Sequence, residues 1–182
     1  MKTSTIFLLT SLFFSGIISG FAQTTAEEPM RLSGPRVGVT GVTGNMAEYL
    51  EGHGLSPFMS QFGWQFETRY FQTESGYQGL IEFVPLLAGL ESRQASVSAN
   101  VLVGFRTPSG LEFGVGPNFS ARGLFSYDPI VTTSLIYAVG HSFKVDEVNI
   151  PVNIAFSPSA NGARITALVG FNIQRKNNSL KH

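Results

Sequence analysis

Few side chains able to do acid–base or nucleophilic chemistry lie close together in this sequence. The histidines are His53, His141 and His182, and only Gly140-His141-Ser142 places one beside a hydroxyl. Successive side chains of a strand point to opposite faces, so His141 and Ser142 fall on opposite sides of a sheet and share no proton at one site. His141 therefore reads as a polar residue at an interface. Gly38, Gly41 and Gly44 recur every third residue, but no Gly-Lys-Ser/Thr follows them, so they are not a phosphate loop. Close or irregular backbone packing explains them better. Asn118-Phe119-Ser120 matches a glycosylation acceptor, yet it falls inside an alternating segment where the match is incidental. Cysteine is absent, which excludes disulfides and thiolate metal sites. These spacings lead to no expected catalytic residue, cofactor or metal.

The remaining charged residues are placed by pattern. Phe62-Gly63-Trp64-Gln65-Phe66-Glu67-Thr68-Arg69-Tyr70 alternates large apolar with polar or small residues, the signature of a strand in a two-faced sheet. The pattern returns in segments 36–42, 61–72, 77–87, 94–106, 111–122, 130–144, 148–157 and 164–174. Met46 to Leu50 reads as a helical turn in a long loop between the first two. The polar face carries Gly, Ser, Asn and Gln together with Glu67, Arg69, Glu82, Arg106, Glu112, Arg122, Lys144 and Arg164. On the apolar face, Tyr70, Tyr77, Phe105, Phe113, Phe143 and Phe171 fall toward one end of their strands. Phe62, Trp64, Phe119 and Phe156 fall toward the other, making two girdles.

Composition bears on which face is inside. Charged residues make up 13% of the 182-residue chain, against roughly 25% in soluble domains. The lysines are Lys2, Lys144, Lys176 and Lys181 only. A polar face this poor in charge is expected to be enclosed, and an enclosed network needs its charges paired. Strands of roughly 9–12 residues match a tilted membrane crossing. Connections after strands two, four and six read as short, and those after one, five and seven as longer, the parity of outer-membrane barrels. Pro85, Pro117 and Pro151 lie inside predicted strands, where each removes a ladder donor, so bulges or shifted strand ends are expected.

Met1-Lys2 and the apolar run 6–14, ending in small residues at Gly20-Phe21-Ala22, read as a signal peptide cleaved after Ala22. The run is too short and too interrupted to be a membrane anchor. The expected organisation is a leader 1–22, a flexible segment 23–35, a barrel 36–174 and a polar tail 175–182. Lys+Arg and Asp+Glu balance at 12 each, which argues against a nucleic-acid surface.

On this pattern, residues 36–174 resemble the small eight-stranded outer-membrane barrels of Gram-negative bacteria. The resemblance implies an all-β, antiparallel, up-and-down transmembrane barrel, surrounded by outer-membrane lipid and monomeric. It implies a non-enzymatic protein in a structural or surface-interaction role. About eight strands leave an interior just wide enough for side chains, so no diffusion pore is expected. Phe171 stands where such barrels end on an aromatic residue, with the tail beyond it. The alternative is a soluble, secreted lipocalin-like barrel with Phe62, Trp64 and Phe66 in its core and an apolar ligand. In the first loop, 44–60, exposed Tyr49, Leu50, His53, Leu55 and Phe58 offer room for a partner that the sequence does not name.

Overall fold

The computed structural model describes residues 32–91, 95–122, 130–145 and 148–173. The expected leader, the loop after the fifth strand, the Asp146-Glu147 turn and the tail 175–182 lie outside them. The chain forms β1 (Gly34–Val42), a helix α1 (Asn45–Gly52), β2 (Phe58–Gln72), β3 (Gln78–Ala88), β4 (Ser96–Arg106), β5 (Leu111–Arg122), β6 (Ile130–Val145), β7 (Val148–Ser159), β8 (Gly162–Gly170) and the short β9 (Asn172–Ile173). Each of β1 to β7 pairs antiparallel with its successor, and β8 pairs with β1, closing the sheet. β9 joins β7 in the register that β8 already keeps with it, so it continues β8 beyond Phe171. The result is an eight-stranded all-β barrel without a free edge.

Alternation decides the two faces. Val37, Phe62, Trp64, Phe66, Ile81, Phe83, Val103, Leu135 and Ile154 are all exposed on the outside. So are Tyr70, Tyr77, Phe105, Phe113, Phe119, Phe143, Phe156 and Phe171. Phe66 and Phe83 stack at 6.1 Å in mid-strand, between the two aromatic sets, so the girdles are bridged on the β2–β3 face. Inside are Arg36, Thr40, Gln65, Glu82, Asn100, Arg106, Glu112 and Asn118, all buried. Asn118 is thus closed to glycosylation, and His141 and Ser142 fall on opposite faces, Ser142 buried and His141 against the outward Phe143 ring at 4.7 Å.

Two connections at one end repeat a Thr-x-Ser-Gly turn. In Thr73-Glu74-Ser75-Gly76, the Thr73 hydroxyl accepts the Tyr77 amide at 3.0 Å. In Thr107-Pro108-Ser109-Gly110, Thr107 does the same for Leu111 at 3.0 Å. The glycines close both turns at φ 86° and 88°, a region that favours glycine. This is the turn end of the barrel. The β1–β2, β3–β4, β5–β6 and β7–β8 connections make the opposite, loop end.

The prolines are accommodated without slippage. Pro85 stays paired with Ala99 of β4, while pairing with β2 lapses between Gly63↔Leu86 and Phe66↔Phe83. Pro117 stays paired with Leu135, and pairing with β4 lapses between Asn100↔Asn118 and Val103↔Val115. Pro151 stays paired with Ser142, and pairing lapses between Val152↔Val169 and Asn149↔Asn172. The register is the same on both sides of every gap, so each missing donor opens the ladder locally instead of forcing a bulge. The register shift that does occur lies between Arg69 and Phe71, where no proline stands, and it leaves Tyr70 and Phe71 both outward.

Three other expectations are corrected. The connection after the seventh strand is only residues 160–161, because Gly162 at φ 129° lets the chain reverse tightly against Thr43. Residues 32–35 are part of the barrel: Leu32 is fully buried, and the Glu67 amide donates to Ser33 Oγ at 2.9 Å. The interior is also less polar than its pattern promised, since Leu80, Val84, Leu86, Leu102 and Ile136 point inward and are buried.

The gap at Pro117 sits beside a glycine with no room for a side chain. A Cβ on Gly116 would lie 1.8 Å from the Val101 carbonyl oxygen, whereas one on Gly114 would meet Leu102 at an ordinary 3.5 Å. Gly116→Ala is therefore expected to destabilise the barrel by about 1–3 kcal/mol, as overpacking does, with Gly114→Ala close to neutral. Urea unfolding of both variants checks this.

Candidate functional site

The interior is divided along its length, and strand register does the dividing. Near the turn end, Arg106 on β4 is directly opposite Glu112 on β5 and Gln78 on β3, while Glu67 on β2 is opposite Glu82 on β3. The Arg106 fork donates from Nε to Glu112 at 2.8 Å, and from Nη1 to Glu67 at 3.0 Å and to Gln78 at 3.2 Å. Nη2 pairs with both Glu67 and Glu112. These side chains have almost no solvent exposure, where charges persist only when paired and hydrogen-bonded.

Glu82 completes a group of three carboxylates, with Glu67 and Glu112, whose oxygens lie within 4.8 Å of one another. Positions 67, 82 and 112 are too far apart in sequence for this to be visible, and only the sheet register assembles them. Arg106 already serves as counter-cation to two of the three.

Arg36 is a second buried cation at this end, which the sequence reading did not include. It donates from Nε to Gln65 at 3.0 Å, from Nη2 to the Leu32 carbonyl at 2.6 Å, and from Nη1 to the Pro35 carbonyl at 3.0 Å. The parity of Val37 and Val39, both outward, was the signal that could have found it.

Above this cluster, Gln65, Glu82, Leu102 and Glu112 bound a cavity of about 40 Å³. Its upper wall is Asn100, Ile136, Ala155 and Leu168, and these residues are also the floor of a much larger chamber at the loop end. That chamber, about 350 Å³, is walled by serine and threonine hydroxyls of β4 to β8 and by Arg122 and Arg164. Asn118 and Ser120 hold Arg164 in place: Nη2 donates to Asn118 Oδ1 at 3.0 Å and Nη1 to Ser120 Oγ at 3.4 Å. Asn118 donates in turn to Asn100 at 2.6 Å.

Helix α1 roofs the chamber with Met46 and Leu50. Its N-terminus has no side-chain cap; the Met46 amide instead donates to the Asn161 carbonyl of the β7–β8 connection at 3.0 Å, which satisfies one orphan donor. The first loop therefore lies against β8. Leu50 is buried, not exposed as expected, and Leu55 is half-buried, whereas Tyr49, His53 and Phe58 are exposed.

The single charge network expected from the sequence is thus two separate groups. Glu67, Glu82, Arg106 and Glu112 come together near the turn end, and Arg69 is half-buried on the same face. Arg122 and Arg164 stand apart in the loop-end chamber. Lys144 joins neither: it is exposed, one residue from the end of β6. No family model matches this chain and no curated protein matches it, so the geometry alone carries the functional argument.

Replacing the cation of the buried cluster leaves its carboxylates unpaired. Arg106→Leu is expected to destabilise the folded barrel by about 3–5 kcal/mol, read from the urea midpoint. Glu112→Gln in the same background should recover part of that loss.

Proposed function

We propose that this chain is a small outer-membrane β-barrel, non-enzymatic and internally plugged, with a structural or surface-interaction role. One observation carries the reading: large apolar side chains cover the outside of a closed barrel whose buried interior holds Arg36, Glu82, Arg106 and Glu112. In water, so extensive an apolar surface would be far larger than the few hundred Å² that soluble monomers expose. In hydrocarbon it is the favoured surface, and edgeless closure satisfies the backbone groups that lipid cannot.

Further features agree. The eight barrel strands run from 9 residues in β1 to 16 in β6, enough for a tilted crossing of about 9–11 residues. Among the described residues no helix is long and apolar enough to cross a membrane, so the strands are the crossing elements in this reading. The leader expected at residues 1–22 agrees with export, and the parting of His141 and Ser142 agrees with a non-enzymatic role. A lipocalin-like barrel is less well supported, because it needs Phe62, Trp64 and Phe66 in its core, and these are 46–51% exposed on the outside.

The mature protein is expected to need detergent for folding and to migrate faster on gels unheated than boiled. A folded, soluble monomer in plain buffer would overturn the membrane reading. In planar bilayers the Arg106 cluster should block steady current, leaving rare, small events at most. A large ohmic conductance would show that the interior is an open path.

A further inference from the structure

We propose that the loop-end chamber is a binding site for a small organic anion, a carboxylate on a short apolar chain, held by Arg122 and Arg164. This goes beyond the plugged-barrel reading, which assigns the chamber no ligand. At about 350 Å³, the chamber falls within the range of roughly 300–1,000 Å³ typical of small-molecule sites. Its floor separates it from the lower cavity, so it is suited to holding a ligand and not to passing one.

Charge supplies the main argument. Two guanidiniums line the chamber, and none of the described residues lining it is a carboxylate. Among the described residues, the hydrogen bonds of Arg164 go to neutral oxygens, those of Asn118, Ser120 and Ser134. Arg122 donates from Nη1 to the Met46 sulfur at 3.5 Å, and a thioether is a weak acceptor. Its Nε is buried and has no hydrogen-bond partner among the described residues. The same barrel shows the alternative at its turn end, where Arg106 is held by two carboxylates. Partly buried cations that meet only neutral groups are costly unless an anion joins them, and a carboxylate matches the guanidinium fork in a bidentate fashion.

The rest of the lining describes the remainder of the ligand. Val42, Met46, Leu50, Leu86 and Leu168 are the larger apolar groups of the lining, suited to a short alkyl chain, and methionine adapts to varied shapes. A bare inorganic anion would leave these apolar groups unused.

The test uses the full mature chain folded in detergent and titrated calorimetrically with hexanoate, 1-hexanol and inorganic phosphate. Saturable hexanoate binding is expected, at least tenfold tighter than hexanol or phosphate, and weakened at least tenfold by Arg122→Gln or Arg164→Gln. Hexanoate should also raise the unfolding temperature of the parent barrel and not that of the glutamine variants. Unheated gel mobility establishes that each variant is folded; if Arg164→Gln is not, Arg164→Lys keeps the charge and should retain weaker, still saturable binding. Absent hexanoate binding, equal binding by the folded variants, equal binding of hexanol, or preference for phosphate would each overturn the proposal. A barrel that folds without detergent would overturn the membrane reading and leave this titration intact.

Discussion

The pairing of β1 with β8 is the constraint on which everything else in this protein rests. Once that ladder closes, no strand has an edge, and every side chain must point either into the barrel or away from it. The registers then leave no freedom about who meets whom. Arg106 faces Glu112 because their strands pair at those residues, and Glu67 faces Glu82 for the same reason. A slip of one residue would turn a strand's charged residue outward and an aromatic neighbour inside, Phe105 for Arg106 on β4 or Phe66 for Glu67 on β2. The buried ion cluster and the apolar outer surface are therefore two consequences of one hydrogen-bonded closure.

Closure also explains how the backbone tolerates residues that a flat sheet would reject. Each interior proline keeps its ladder on one side and gives up a short stretch on the other. The strands on both sides of the gap cannot drift, because the remaining pairs all around the barrel hold their register. At Pro85 and Pro117 the neighbouring backbone moves close, and Gly63 and Gly116 leave the space it needs. An open sheet would relieve such a gap by sliding; a closed one absorbs it in place.

Along the barrel axis, the described interior changes from charges paired with one another to guanidiniums among neutral groups. Near the turn end the guanidinium of Arg106 is shared between carboxylates, and beyond it lies only a small cavity. At the loop end the hydroxyl-lined chamber holds two guanidiniums under a helix roof. The difference comes from strand composition: the inward acidic residues Glu67, Glu82 and Glu112 of β2, β3 and β5 gather near the turn end, while toward the loop end the inward polar positions of β4 to β8 are serine, threonine, asparagine and the two arginines, with no acidic residue among the described lining. That asymmetry gives the two ends of one small barrel different chemistry.

The alternation by itself determined much of this. It established all-β architecture, eight strands to within a few residues, the helical turn at Met46 to Leu50, and which face of each strand carries apolar side chains, because period-two patterning is a local property of the chain. It was also enough to place Glu67, Glu82, Arg106, Glu112, Arg122 and Arg164 on one face. The tertiary structure alone decided how those charges divide into two groups, that Lys144 belongs to neither, that Arg36 joins the first and that Leu50 turns into the chamber. It also decided that the prolines open gaps instead of bulging. These facts depend on stagger between strands distant in sequence and on how a loop folds back over the mouth. Register is set by the summed pairing of all eight strands, and no single segment carries that information.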